Sequence, residues 1–402
     1  MPIHDRLKIL NDGEIEELFS IPKIDMQDRE LLFEITPEDK VYLAKQAIVE
    51  NQINYLLQVG YFRAARKFYK FTFSGVKEDT QYIINRYFKG LNFPQSNTSK
   101  DKHYEAQDAI LKIYNYQRYS NVFEPELNRQ AKRLSTIDLK LGFVFDELLH
   151  YCELKQVIRP QYSTLQKLVS NAVTREENRL IIKLSRLLDM NIRKQLDSLV
   201  ESTDTVSALS LLKKDPKSFA TREMEGELSK KQDVTEIYKK SKHIISELDI
   251  SRHNIQYYAD LCEYYDSYRL RSFSKRKSRL YLLCFIWQRF IKLNDHLVTF
   301  FIYKVATYNT KADEYAQECL AEAKLDSSND RITASKMLKI VNNHSIKDSD
   351  IRPRCYKVVN QGEFDDFTDK LAKPNLDKKS YRWKYYDNEN NSIKRNLRST
   401  SG

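Results

Sequence analysis

Apolar residues recur at helical spacing along much of the chain. Val49, Ile53, Leu56 and Leu57 form one apolar stripe, and Thr36-Pro37-Glu38-Asp39 upstream is typical of a helix start. Residues 280–287 are apolar on nearly every side, which predicts a helix buried against other helices. The chain has only 8 Gly and 9 Pro, which argues against an all-β sandwich. The pattern predicts an all-α protein built from several helical bundles.

Residues 141–188 predict a unit that resembles a helix-turn-helix. The apolar positions between 141 and 152 fall on one helix face. Ser163 and Gln166 have the spacing of a capping box, which would start a short middle helix with its core positions at 165–172. The apolar positions at 180–188 predict a third helix. An ordinary three-helix bundle would give the same pattern, so a DNA-reading role stays one of two interpretations.

Length and breaks in the pattern predict several domains. A chain of 402 residues suggests about two to three domains of roughly 100–200 residues each. The polar stretch 92–102 is the best early linker, and Asp215-Pro216 is expected to end a helix. We therefore predict an N-terminal helical DNA-binding unit at 1–92 and a second, helix-turn-helix-like unit at 103–200. A linker or dimerisation region with a basic aromatic segment would follow at 201–310, and the start of a helical scaffold at 311–402.

The net charge of +11 is concentrated in two blocks. Residues 51–140 hold 15 basic and 8 acidic side chains, and residues 251–310 hold 10 and 4. Blocks of this kind favour a polyanionic partner, usually a nucleic acid. A solvated Lys/Arg surface without a partner is the alternative.

Cations alternate with aromatic residues in two segments, 61–70 and 254–283. Arginine and lysine suit phosphate contacts, whereas the tyrosines are as readily explained as core positions with polar tips. We expect backbone phosphate contacts from the cations of both segments, namely Arg63, Arg66, Lys67, Lys70, Arg269, Arg271, Lys275, Arg276, Lys277 and Arg279. Short polar and forked side chains at the start of the predicted middle helix would reach base edges, namely Arg159, Gln161, Thr164, Gln166 and Lys167.

Motifs for catalysis or metal binding are not found in the sequence. The five Cys are scattered and form no CxxC pair, which is typical of a reduced, intracellular protein without disulfides or a zinc site. No phosphate-binding glycine loop, zinc-protease motif or nucleophile elbow occurs. No signal peptide or membrane span is indicated, so we expect a soluble, cytoplasmic protein without a membrane partner, a catalytic site or a metal.

Several segments together resemble the Tn-three class of replicative transposases. They include residues 254–261, Tyr264-Tyr265, 268–271 and 280–286 with Arg289-Phe290 and 294–297. Weaker similarities lie at 51–63, at 158–165, at 212–216 and at 383–398, so the resemblance spans about residues 20–398 in the family's order.

The resemblance implies a helical part that binds the terminal inverted repeats of a transposon. In that family the C-terminal half is a ribonuclease-H-like domain whose acidic triad binds magnesium. Family members are longer than this chain and the resemblance stops at Arg398, so we expect a truncation before the catalytic domain. No catalytic residue is carried over, no cofactor is expected in this chain, and enzymatic activity stays undecided. The expected partners are double-stranded DNA, in a nucleoid-associated location, and a second copy or an intact transposase.

Two other functions fit the same residues. The interleaved tyrosines and arginines would also suit a helical RNA-binding protein. The near-neutral region at 190–250 and the apolar helix at 280–300 would suit a scaffold that binds proteins or dimerises.

Overall fold

The computed structural model describes residues 7–201, 207–373 and 377–398. Within these ranges the chain forms helices and no β-strand, apart from one isolated backbone bridge between Gln117 and Val157. The predicted all-α class is confirmed. In chain order the helices are α1 Asp12–Phe19, α2 Met26–Leu32, α3 Pro37–Leu43, α4 Val49–Ala65, α5 Lys77–Tyr87, α6 Lys100–Tyr114, α7 Glu124–Ile137, α8 Leu141–Leu154, α9 Tyr162–Leu187, α10 Met190–Val200, α11 Ala208–Lys213, α12 Thr221–Leu248, α13 Arg252–Tyr264, α14 Ser267–Ser272, α15 Lys275–Val341, α16 Asp348–Cys355, a 3-10 turn Gln361–Glu363, α17 Phe364–Ala372, α18 Lys378–Asn388 and α19 Asn390–Arg398.

The helices group into two compact units that are not contiguous in sequence. Unit 1 contains residues 1–209 and 240–288, and unit 2 contains residues 210–239 and 289–402. The division into 1–92, 103–200, 201–310 and 311–402 stays a prediction. No described helix is long and apolar enough to cross a membrane.

Helix α4 is the centre of one core in unit 1. Ten consecutive residues, 53–62, are buried, so the helix has no solvent-exposed face over that stretch. It packs against α2, α5 and α6. The apolar stripe that starts at Val49 was therefore predicted correctly, and the burial extends well beyond it. The helix start at Thr36 is also confirmed, since Thr36 and Asp39 form a capping box on α3.

Buried tyrosines of α4 donate hydrogen bonds to two buried carboxylates. The Tyr55 hydroxyl lies 2.6 Å from Asp39, and the Tyr61 hydroxyl lies 2.7 Å from Asp79. Each carboxylate also pairs with an arginine, because Arg63 is 2.6 Å from Asp39 and Arg29 is 2.8 Å from Asp79. A buried charge is tolerated when it is paired and hydrogen-bonded, so these contacts let polar groups remain inside the core.

The predicted helix-turn-helix geometry is wrong, because α9 is one continuous helix of 26 residues. Residues 165–172 and 180–188, assigned to separate helices, lie on it, except for Leu188 at its C-terminal cap. No Gly or Pro interrupts the stretch between them, and its Arg and Glu residues favour a helix. The capping box is also wrong, because the helix begins one residue before Ser163 and Gln161 occupies the N-cap without a side-chain cap.

The apolar segment after the basic run is buried, as predicted. Residues 280–286, in the first part of α15, are each at most 4% exposed. Asn254 and Tyr258 connect α13 to other helices of unit 1. The Asn254 side chain donates to the Ser135 and Thr136 carbonyls of α7, and the Tyr258 ring packs against that of Tyr281 on α15. These contacts hold α13 and the start of α15 beside α7 and α9.

Unit 2 contains an ion pair between a buried arginine and a half-exposed carboxylate. α11 ends at Lys213, before Asp215-Pro216, as the sequence predicts. Asp215 accepts from Arg289, which is 3% exposed, and from Lys292, each at 2.6 Å. Although burial opposes ionisation, these two cations lower the pKa of Asp215 to about 2. Met224, Leu297 and Phe300 form a small buried apolar cluster in the same unit.

Gly60 on α4 tests whether the burial of that helix constrains its side chains. A Cβ at this position would lie 2.1 Å from Cε1 of Phe33, whose ring is fully buried. We expect Gly60→Ala to lower the free energy of unfolding by about 1–3 kcal/mol because the ring has no room to shift. Urea unfolding followed by circular dichroism measures this.

Gly142→Ala is the matched control in the same unit. Gly142 lies exposed on α8, and a Cβ there meets nothing within 4 Å. We expect this change to raise stability by a few tenths to about 1 kcal/mol, because alanine favours a helix. Equal effects of the two substitutions would contradict the close approach of Phe33 to α4.

Candidate nucleic-acid interface

Arg63, predicted to contact phosphates, lies inside the core of unit 1. Its guanidinium donates to Asp39 at 2.6 Å, to the Tyr114 hydroxyl at 2.6 Å and to the Leu32 carbonyl at 2.9 Å. Its side chain is 13% exposed. Because these partners occupy the guanidinium, the residue stabilises the fold, and its expected role at the surface is not supported.

Arg66 and Lys67 also point into the protein. Arg66 is the C-cap of α4 in the left-handed conformation, and its guanidinium lies over the rings of Phe62 and Tyr116. Lys67 is 5% exposed, and its Nζ donates to the Phe19 carbonyl at 3.0 Å. Burial, with a smaller contribution from Arg159, lowers the pKa of Lys67 to about 8. Of the four cations predicted here, Lys70 alone is exposed.

The five residues predicted to read bases are not all available. Arg159 donates to the Leu18 carbonyl and lies 3.6 Å from Glu153, and the Gln166 amide donates to the Leu7 carbonyl at 3.0 Å. Gln161 and Lys167 are exposed, and Thr164 is half-buried. The continuous α9 places these positions on one helix start, but two of the side chains are bonded to the N-terminal segment.

The basic run at 269–279 divides into an exposed part and a paired part. Arg279 makes two hydrogen bonds to Asp197 at 2.6 and 2.8 Å, and Lys277 lies 3.0 Å from Glu177. The remaining cations are exposed, namely Arg269, Arg271, Lys275 and Arg276. Of these, Arg269 contacts the ring of Phe273, and the Lys275 ammonium lies 3.9 Å from Asp197.

The two ion pairs position this exposed run. Asp197 belongs to α10 and Glu177 to α9, so the first turn of α15 is held against both helices. The first turn contains cations and no acidic residue. A helix N-terminus carries a partial positive charge, so cations there are locally unfavourable and an anion is favoured.

A cleft of about 1240 Å³ lies next to this turn, within unit 1. Residues of α7, α9, α13 and the first turns of α15 line it. Its five cations are Lys132, Lys167, Arg175, Arg179 and Lys277, and its two carboxylates are Glu176 and Glu177. The cleft therefore joins elements that are far apart in sequence.

Both carboxylates of the cleft are occupied by partners. Glu176 is 4% exposed and makes two hydrogen bonds to Arg179, each at 2.7 Å. Glu177 accepts from Lys277 at 3.0 Å and from the Tyr281 hydroxyl at 2.8 Å. Neither Lys132, Lys167 nor Arg175 makes a side-chain ion pair among the described residues, so the cleft keeps an excess of positive charge.

Sequence reasoning identified Lys167 but missed the other residues on the cleft-facing side of α9. Lys167, Asn171, Thr174, Arg175 and Asn178 are exposed and line the cleft. Their spacing of three and four residues is the signal that could have revealed them. It was hidden because residues 162–187 were divided between two helices. Lys132 was missed because nothing in its own segment, α7, indicates a site.

The described residues include no group of three or more His, Cys, Asp or Glu side chains that could hold a metal ion. The cysteines form no disulfide among the described residues, and burial raises the pKa of Cys152 to about 12. A thiol with a raised pKa is a poor nucleophile. The arrangement in unit 1 can bind an anion, and we find no constellation for acid–base or nucleophilic chemistry in it.

Residues 9–172 match the family model for a domain of unknown function, DUF4158. The match contains α1–α8 and the first part of α9, and thus the α7 wall of the cleft. The other walls, on α13 and α15, lie outside it. No curated protein matches the chain.

The burial of Lys67 predicts a dependence of stability on pH. Below pH 8 Lys67 is protonated in both the folded and the unfolded state, and the cost of burying its charge lowers the unfolding free energy. Between pH 8 and its usual pKa of 10.5 the folded state is neutral while the unfolded state keeps the proton. The unfolding free energy should therefore rise with pH, by up to about 3 kcal/mol, relative to that of Lys67→Met.

Urea unfolding at several pH values between 7 and 10.5 measures this difference. Lys70→Met, at an exposed lysine three residues away, is the matched control and should run parallel to the wild type. A difference between wild type and Lys67→Met that does not change with pH would show that Lys67 is solvated.

Proposed function

We propose that this chain binds double-stranded DNA as the N-terminal part of a Tn-three family transposase and recognises the terminal inverted repeats of a transposon. The observation that carries the proposal is the exposed run Arg269, Arg271, Lys275 and Arg276, held in place by the ion pairs of Lys277 and Arg279. The DUF4158 match supports the family, since that domain is found in Tn-three transposases.

Phosphate contacts and base contacts are assigned to different residues. The exposed run and Lys70 would contact the phosphate backbone, which positions the protein without reading sequence. Gln161, Thr164 and Lys167 at the start of α9 keep the base-reading role, because their side chains make no hydrogen bond to the described residues of the N-terminal segment. The function that we assign to this chain is binding, and its enzymatic activity stays undecided.

Sequence-specific binding is tested by selection from a pool of duplexes with a randomised central segment. We expect one sequence to be enriched and to bind at least about a thousandfold more tightly than a scrambled duplex of equal composition. Affinity should fall steeply with salt, because each neutralised phosphate releases counterions. Absence of any enriched sequence would contradict repeat recognition.

The alternatives predict other outcomes of the same assay. An RNA-binding protein would be displaced from duplex DNA by single-stranded RNA at equal concentration. For a protein scaffold, any nucleic-acid binding would be insensitive to salt.

Arg276→Glu tests the phosphate role of the exposed run. We expect it to weaken binding to the enriched and the scrambled duplex by the same factor and to lower the salt slope by about 1. Fluorescence anisotropy at several salt concentrations measures both quantities.

Arg354→Glu is the matched control. Arg354 is an exposed arginine of unit 2 without a side-chain partner in the described structure, and the substitution changes the net charge equally. Its binding should equal that of the wild type. If both reversals weaken binding alike, the effect comes from total charge and the exposed run has no special role.

A further inference from the structure

The cleft between α7, α9 and α13 has a size and lining that duplex binding does not explain. Its volume of about 1240 Å³ is close to that of a large small-molecule pocket, for which about 300–1,000 Å³ is usual. A rigid duplex would touch its rim and leave the recessed lining unused. A few linked nucleotides would fit inside.

The lining offers a partner for each part of a nucleotide. Lys132 and Arg175 are cations without a carboxylate partner among the described residues. Asn171 and Asn178 are exposed on α9 and make no side-chain hydrogen bond to a described residue, so each can donate and accept at a base edge. Small amides and cations on one helix face are the groups that read unpaired bases.

Aromatic surface closes the opposite side of the cleft. Tyr257 and Tyr265 are half-buried and line it from α13 and its C-cap. Bases stack on tyrosine rings without regard to their sequence. Behind them Tyr258 is 1% exposed, and its hydroxyl has no hydrogen-bond partner among the described residues. Burial raises the pKa of this phenol, so it stays protonated and can donate to an acceptor that enters the cleft.

We propose that this cleft binds a single-stranded stretch of nucleic acid. The phosphates lie against Lys132 and Arg175, the base edges face Asn171 and Asn178, and the bases pack on Tyr257 and Tyr265. The site goes beyond the proposed duplex binding, because its residues differ from the exposed run at 269–276. One unit of the protein therefore carries two nucleic-acid sites with different requirements.

Two charge-reversed variants separate the sites. Arg175 and Arg276 are both exposed arginines of unit 1 without an ion pair, but only Arg175 lines the cleft. The probes are labelled oligothymidylate, oligouridylate and a blunt hairpin duplex. We expect Arg175→Glu to weaken single-strand binding about tenfold or more with little effect on the hairpin, and Arg276→Glu to do the reverse.

The outcome distinguishes this proposal from the proposed function. If the hairpin binds but neither single strand does, or if Arg175→Glu weakens all probes equally, the cleft site is overturned while duplex binding stands. If a single strand binds in the expected way and the hairpin does not, duplex recognition fails and the cleft site stands. Whichever single strand binds more tightly identifies the source as DNA or RNA.

Tyr257 tests stacking against simple attraction of anions. Tyr257→Leu should weaken single-strand binding about tenfold because it removes the ring, whereas Tyr257→Phe should bind like the wild type. Circular dichroism of both variants checks the fold. Displacement of oligothymidylate by thymidine monophosphate or by polyglutamate at equal charge concentration would overturn the proposal, since either would show a mononucleotide or general anion site.

Discussion

The burial of helix α4 on every side is the constraint on which the N-terminal core depends. A helix without a solvent-exposed face must satisfy each polar side chain inside the protein. Asp39 and Asp79 meet this requirement by accepting from Tyr55 and Tyr61 and by pairing with Arg63 and Arg29. Removing one of the two arginines would leave its carboxylate buried without an opposite charge, which typically costs about 3–5 kcal/mol. The polar groups of this core thus connect α2, α3 and α5 to α4 in addition to its apolar contacts.

The same constraint explains why one pattern of cations and aromatic residues has two structural meanings. Apart from the exposed Lys70, the cations at 61–70 lie over rings and donate to backbone carbonyls, so the alternation there reflects cation–π packing inside a core. At 269–276 the cations are exposed, because the apolar residues that follow, 280–286, form the buried part of α15. Local sequence contains cations and rings in both cases. Only the packing of neighbouring helices decides which set reaches solvent.

Features that depend on local periodicity were predictable from the sequence. The all-α class, the start of α3, the apolar stripe of α4 and the burial of 280–286 follow from spacing and capping residues. The cleft does not, because Lys132, Arg175 and Tyr257 come together through contacts of α7, α9 and α13. The roles of Arg63 and Lys67 were misjudged for a related reason, since their partners Asp39 and Phe19 lie more than twenty residues away.

The first turn of α15 contains cations that the helix dipole disfavours, and this conflict is relieved by the proposed function. Three cations, Lys275, Arg276 and Lys277, begin the helix although its dipole disfavours positive charge there by about 0.3–1 kcal/mol each. Asp197 pairs with Arg279 and lies 3.9 Å from Lys275, and Glu177 pairs with Lys277. Arg276 has no carboxylate partner among the described residues. Residues that violate a local rule without internal compensation are expected at functional sites. A phosphate bound at this turn would remove the conflict, because both the helix dipole and the exposed cations would then act on it favourably.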